Sequence, residues 1–230
     1  MRPATDFFAA AMLVAAMVLG CGRPAEVTQS APAPASREQS DSAAIAKAKA
    51  DSLRYPYTQA DVDFMSAMIG HHSQALLMAG WAPARGAGPA VRTLAERIIN
   101  GQEDEIRSME RWLRDRRKPL PEASRMGGTG HSPGAGQGHS HRGMPGMLSE
   151  AQLKQLEQAK GPEFDQLFLT FMIQHHKGAV RMVEQLFATP GAARDETVFK
   201  FANDVSVDQR TEVARMERML AGLGSNSGSQ

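Results

Sequence analysis

Cysteine is almost missing: the 230 residues contain 1. A single thiol excludes an intramolecular disulfide framework and any metal site built on several thiolates. Aromatic residues make up 6% of the chain, too few for an all-β sandwich, which draws on aromatic and β-branched side chains. An excess of one charge is missing too. Lys and Arg number 26 against 25 Asp and Glu, so there is no strong positive field and no nucleic-acid partner is expected. No apolar stretch is long enough to cross a bilayer. The longest, Phe7 to Leu19, has the length of a signal-peptide core.

What the chain has in quantity is methionine, 14 residues. Three of them (Met1, Met12, Met17) lie at the extreme N-terminus. With one Cys, any soft ligand in the body must be Met or His. The apolar stretch ends Val18-Leu19-Gly20-Cys21, which resembles a bacterial lipoprotein cleavage box. Residues 1–20 then read as a lipoprotein signal peptide, and Cys21 as a lipid-bearing residue that holds the protein at a membrane surface. A plain secretory signal with an incidental Cys is the alternative. Residues 21–55, rich in Ala, Pro, Ser and Gln as far as Ser42, read as a flexible tether. The expected location is the periplasmic face of a bacterial membrane or the cell surface.

The body is one pattern written twice. Asp61, Phe64, Met68, Ile69, His71, His72, Ala75 and Met78 match Asp165, Phe168, Met172, Ile173, His175, His176, Ala179 and Met182 at a constant offset of 104. A second block follows each. Gln102, Glu105, Ile106, Met109 and Leu113 match Gln209, Glu212, Val213, Met216 and Leu220 at an offset of 107. The change of offset falls between the blocks, where Gly and Pro mark turns. Apolar residues recur at three- and four-residue steps in every block, the signature of amphipathic helices. Thr58 before Asp61 and Ser149 before Gln152 are expected N-caps. Residues 56–117 and 149–222 therefore read as two helical hairpins, and two hairpins that are each apolar on one face bury those faces in a four-helix bundle. Residues 118–148 form a Gly/His/Met-rich linker, and residues 223–230 a disordered tail.

Positions i, i+3 and i+4 share a helix face. Met68, His71 and His72 project together, with Met78 one turn past the small Ala75; the second copy repeats this. Gln102, Glu105 and Met109 share a stripe on the partner helix, as do Gln209, Glu212 and Met216. Imidazole and thioether together suit a soft ion, Cu(I) first and Ag(I) second. Zn would recruit Cys or carboxylate beside His. The linker adds His131, His139, His141, Met144 and Met147, donors in a segment too Gly-rich to fold alone, which suits capture of an ion. The competing readings are ordinary ones: Met as core filler, buried His as a hydrogen-bonded core residue, and the linker as an inert spacer. Glu105 and Glu212 could equally support the histidines or face solvent.

The pattern Met-Ile-x-His-His-x-x-Ala…Met, followed by Gln-x-x-Glu-(Ile/Val)-x-x-Met, resembles the bacterial domain-of-unknown-function 305 family. It covers residues 56–116 and 149–221. The resemblance implies an all-α, ferritin-like four-helix bundle made of two duplicated hairpins. It also implies export and copper binding associated with copper resistance. Carried over by position, the implied ligands are Met68, His71, His72, Met78 and Met109 in the first copy and Met172, His175, His176, Met182 and Met216 in the second. The sequence departs from its own symmetry at Gly70, at Ser73-Gln74 against Lys177-Gly178, and at Trp112 against Met219.

The leading expectation is a membrane-tethered, exported protein that sequesters Cu(I) or Ag(I) without catalytic turnover. A metal-exchange partner protein and a homo-oligomer are compatible with it. A ferritin-like di-metal oxidase using His72, His176, Glu105 and Glu212 is the enzyme alternative. It suffers because Met68 and Met172 occupy the places where a di-metal bundle carries Glu. A structural lipoprotein that docks a partner is the third reading.

Overall fold

The computed structural model describes residues 37–54, 56–122 and 143–226. Six helices account for almost all of them: α1 (Arg37–Arg54), α2 (Gln59–Gly80), α3 (Pro89–Asp115), α4 (Glu150–Gln158), α5 (Gly161–Ala188) and α6 (Glu196–Asn226). There is no strand among the described residues, and the fold is all-α. None of these helices is long and apolar enough to cross a membrane. The signal segment, Cys21 and the first part of the expected tether lie outside the described residues.

Local chemistry sets the helix starts. Thr58 and Asp61 form a capping box at the head of α2, and Ser149 and Gln152 form one at the head of α4. Each box satisfies backbone donors that a helix start leaves open. Pro89 opens α3 where a missing N–H costs nothing. Two stretches differ from the expectation. The second half of the tether is the helix α1, because Ala43, Ala44, Ala46 and Ala50 with Lys47 and Lys49 are strong helix formers. Helix α6 runs to Asn226, past the start of the expected tail, because Leu220 and Leu223 pack onto the core and extend the apolar stripe.

The hairpins are α2–α3 and α5–α6, and they meet through α2 and α5. Two buried carboxylates fix the antiparallel crossing. Asp61, at the start of α2, accepts a hydrogen bond from the Ala193 N–H (2.6 Å) just beyond the end of α5. Its counterpart Asp165, near the start of α5, accepts from the Gly88 N–H (3.1 Å to each oxygen) just beyond α2. Each hairpin thus ties down the turn of the other.

Antiparallel crossing splits the core into two apolar halves. One contains Phe64, Met68, Ile69, Met109 and Leu113 with Met182, Val183, Val198 and Val205. The other contains Met78, Leu94 and Ile98 with Phe164, Phe168, Met172 and Met216. Both draw on both hairpins. Between them, in sequence along every helix, lie the buried polar residues His71, His72, Gln102, His175, His176 and Gln209.

Candidate metal centre

The two histidine doublets are buried at the crossing of α2 and α5, all four rings 0% exposed. His71 and His175 stack there, ring centroids 3.8 Å apart and planes tilted by 36°. The His71 Nε2–H donates to the Pro145 carbonyl (3.0 Å), and the His175 Nε2–H donates to the His71 carbonyl (3.0 Å). The outer pair is matched: His72 Nε2 lies 2.6 Å from Glu105 Oε2, and His176 Nε2 lies 2.6 Å from Glu212 Oε2. Of the two options left open for Glu105 and Glu212, this is the supporting one.

Every Nε2 therefore faces a carbonyl or a carboxylate, groups that only accept. That assigns a proton to Nε2 in all four rings, and in a neutral ring so held Nδ1 is a bare lone pair. All four Nδ1 atoms are buried and, among the described residues, without a hydrogen-bond partner. Buried acceptors normally find a donor, and an orphan needs a reason. A ring held through Nε2–H by a carboxylate or carbonyl, with the other nitrogen free, is how metal-binding histidines are commonly oriented. Burial is the main force that lowers the His71 pKa to about 3, with His72 and His176 adding to it. Burial also drives His175 well below its ordinary value, helped by His71, His176 and His72. Both inner rings are neutral at neutral pH, as a nitrogen ligand must be.

Six methionines surround this layer, and five of them (Met68, Met78, Met109, Met172 and Met216) are fully buried, with Met182 nearly so. Their grouping differs from the one drawn by sequence copy. Met68 and Met109 share a half-core with Met182, whereas Met78 falls with Met172 and Met216. The antiparallel crossing exchanges the last methionine of each motif. Among the described residues, no three His, Asp or Glu side chains converge on one metal-sized point. Donors beyond imidazole would have to be thioethers.

The linker divides. His131, His139 and His141 lie outside the described residues. Met144 packs, partly buried, on the half-core of Met68, and Met147 is also partly buried. This end of the linker is seated on the helix crossing. Gln74 brackets Leu148, its Nε2 donating to the carbonyl (3.2 Å) and its Oε1 accepting from the N–H (2.8 Å). Gly146, at φ +79°, lies against Gly178. A Cβ at Gly178 would stand 2.1 Å from the Pro145 oxygen, so only glycine permits the approach. The asymmetric residues Gln74 and Gly178 are thus both contacts of the linker. Trp112, the other departure, donates from Nε1 to buried Asp195 (3.1 Å), which also pairs with Arg116 (2.6 Å). Sequence reasoning did not single out Pro145, Gly146 or Asp195. The Gly178 departure was visible, but its partner was not.

Solved structures share this arrangement of helices. A DUF305 fragment from Deinococcus radiodurans is 32% identical with a TM-score of 0.58, covering 72% of this chain and 98% of that one. A DUF305 protein from Streptomyces coelicolor, whose name places it among secreted proteins, is 26% identical with a TM-score of 0.59, covering 72% and 92%. CopM in its Cu(I)-bound form is 26% identical with a TM-score of 0.53, covering 70% and 96%. CopM has also been solved with Cu(II) and with Ag bound, at 29% and 25% identity. An uncharacterized protein of Acanthamoeba polyphaga mimivirus is 38% identical over 63 residues, a match that spans 41% of that protein's length. The family described as "Domain of unknown function (DUF305)" matches residues 61–220. Burial of both doublets, the repeated block and this match across most of the chain agree: the chain belongs to the DUF305 family.

Proposed function

We propose that this protein is an exported, non-catalytic binder of soft monovalent metal, Cu(I) or Ag(I), that sequesters the ion in the buried imidazole–thioether layer. The observation that carries the reading is the set of four buried Nδ1 lone pairs without partners, each on a ring already held through Nε2. Thioethers flank them in both half-cores, and soft donors select Cu(I). The copper- and silver-bound CopM structures support the reading at 25–29% identity.

In this reading Nδ1 of His71, His72, His175 and His176 supplies nitrogen. Met68, Met109 and Met182 supply sulfur on one side; Met78, Met172 and Met216 supply it on the other. Glu105 and Glu212 orient the outer rings and raise their basicity. Met144 packs on the half-core of Met68, so an ion captured by His131, His139 and His141 would be handed on there. The secreted relative supports export, and lipid attachment at Cys21 would anchor the protein at the membrane.

Titration of the full chain with Ag(I), and with Cu(I) against a chromogenic chelator, tests the reading. Because histidine removal could unfold the bundle, the comparison variant is the triple Met68→Leu, Met109→Leu, Met182→Leu, which conserves volume. We expect the wild type to bind tightly and the variant to lose affinity while keeping its melting curve in the absence of metal. Equal affinity of the two would overturn the thioether assignment. No binding to the wild type would overturn the whole reading. Mass spectrometry of the N-terminal peptide, with Cys21→Ser as control, tests the lipid.

A further inference from the structure

Helices α3 and α6 do not close on one another. Between them is a cleft of about 280 Å³, with Arg97, Gln102, Glu105, Asp208, Gln209 and Glu212 in its walls. Three carboxylates face a single guanidinium. Among the described residues, none of the three forms an ion pair with Lys or Arg. The Asp208 carboxyl is pushed up by partial burial, and further by the negative charges of Glu105, Glu212 and Asp204. The cleft is short of positive charge.

An independent observation points the same way. Gln102 is 3% exposed and Gln209 is 2% exposed, yet both line the cleft. Gln102 Oε1 and Nε2, and Gln209 Oε1, are buried with no hydrogen-bond partner among the described residues. Amide groups left unpaired in this way are costly. Glu105 and Glu212 each meet one imidazole, at His72 and His176, and two amide oxygens beside three carboxylates match what the hydration shell of a cation offers and needs. The shell's waters donate to the oxygens, and the ion supplies the missing charge.

We propose that the cleft is a second cation site, separate in chemistry from the imidazole–thioether layer. It takes one hydrated, oxygen-preferring divalent ion of the Mg²⁺, Ca²⁺ and Mn²⁺ class. Its polar donors are carboxylate and amide oxygens, the set that hard cations prefer. Since, among the described residues, no three acidic or imidazole side chains meet at one point, the ion is held largely through its own waters, as Mg²⁺ commonly is. Gln102 and Gln209 accept from those waters, and Glu105, Asp208 and Glu212 balance the charge. Asp208 is the residue particular to this site. Its counterpart in the first copy is Gly101, so the duplication alone does not account for it.

The test uses the full chain and Mn²⁺ as a paramagnetic probe. Mn²⁺ is titrated by electron paramagnetic resonance, with the side-chain amide signals of Gln102 and Gln209 followed by NMR and Mg²⁺ as competitor. We expect one saturable site, selective broadening of the two glutamine signals and displacement by Mg²⁺. Asp208 is exposed, so Asp208→Asn should fold normally. It should weaken Mn²⁺ about tenfold or more while leaving Ag(I) affinity unchanged. Unbroadened glutamine signals, or unchanged Mn²⁺ affinity in Asp208→Asn, would overturn the proposal. Loss of Ag(I) by that variant would overturn the separation of the two sites. A wild type that binds Mn²⁺ but not Ag(I) would sink the soft-metal reading alone.

Discussion

The two hairpins carry the same histidine doublet and treat it differently. In both, the outer ring is held by a glutamate on the neighbouring helix at 2.6 Å. The inner rings part company. His71 reaches the backbone of the linker at Pro145, whereas His175 reaches the backbone of α2 at His71 itself. Around them, Gln74 grips Leu148 while its counterpart Gly178 makes room for Pro145 and Gly146. Gln174, the counterpart of Gly70, donates to the Gly146 carbonyl at 3.4 Å. Duplication supplies a symmetric layer, and one segment of linker breaks the symmetry by occupying a single side of it. The residues where the repeat departs from itself are largely those that touch this segment.

Acid should produce the largest effect, and it tests whether the inner rings stay equivalent despite their different partners. Both are depressed by burial, His71 to about 3. In the unfolded chain these rings take up protons near pH 6.5; in the native bundle they do not. Their contribution is present in full above pH 6.5 and is lost as the pH falls toward 3. Chemical denaturation at a series of pH values should show a loss of about 5 kcal/mol for His71 over that window, with His175 adding in the same direction. A flat profile from pH 7 to pH 4 would show that burial holds neither ring neutral.

The paired carboxylates should differ next. Asp61→Ala strands the Ala193 N–H and the Thr58 N–H, both within 2.7 Å of its oxygens, and should cost about 3 kcal/mol. Asp165→Ala removes one donor's partner. Burial already pushes the Asp165 carboxyl up, and the Gly88 N–H offsets this only in part, so about 1 kcal/mol is expected. Equal losses in urea denaturation would count against the asymmetry. Gly178→Ala should cost about 2 kcal/mol by overpacking, with faster amide exchange at 144–148. A smaller effect is expected from its counterpart. Gln74→Ala removes two hydrogen bonds at a partly exposed position and should cost about 1 kcal/mol. If Gln74→Ala proved the more damaging, the linker would be held by the glutamine grip rather than by the glycine contact.

Much of the architecture was legible because it follows from local rules. Helical spacing places Met68, His71 and His72 on one face, and Thr58 and Ser149 cap because short polar side chains reach open backbone donors. The exchange of Met78 and Met182 between half-cores was not legible. It depends on which end of α2 meets which end of α5, and that is fixed by Asp61 and Asp165 reaching turns far away in sequence. Helix α1 was masked by the Pro- and Ser-rich stretch before it. Asp208 was invisible because its counterpart is Gly101, so the repeat does not mark it, and only the cleft gives it neighbours. For Gly178 the sequence showed that the repeat departs there, but a glycine on a helix does not name the carbonyl that lies against it.

The reciprocal ties of Asp61 and Asp165, together with half-cores drawn from both hairpins, bear on how the molecule can be divided. Neither hairpin owns a complete core, so neither half of the chain has a folding unit to itself. What the covalent connection contributes is a high local concentration of one half around the other. Separated fragments mixed in solution should therefore remain unstructured alone and regain the bundle together, with a midpoint that depends on concentration. Two identical hairpins would face the same problem and meet it as an isologous pair about a two-fold axis. The present chain has that pairing arrangement built into one polypeptide, with its axis passing through the stacked rings of His71 and His175.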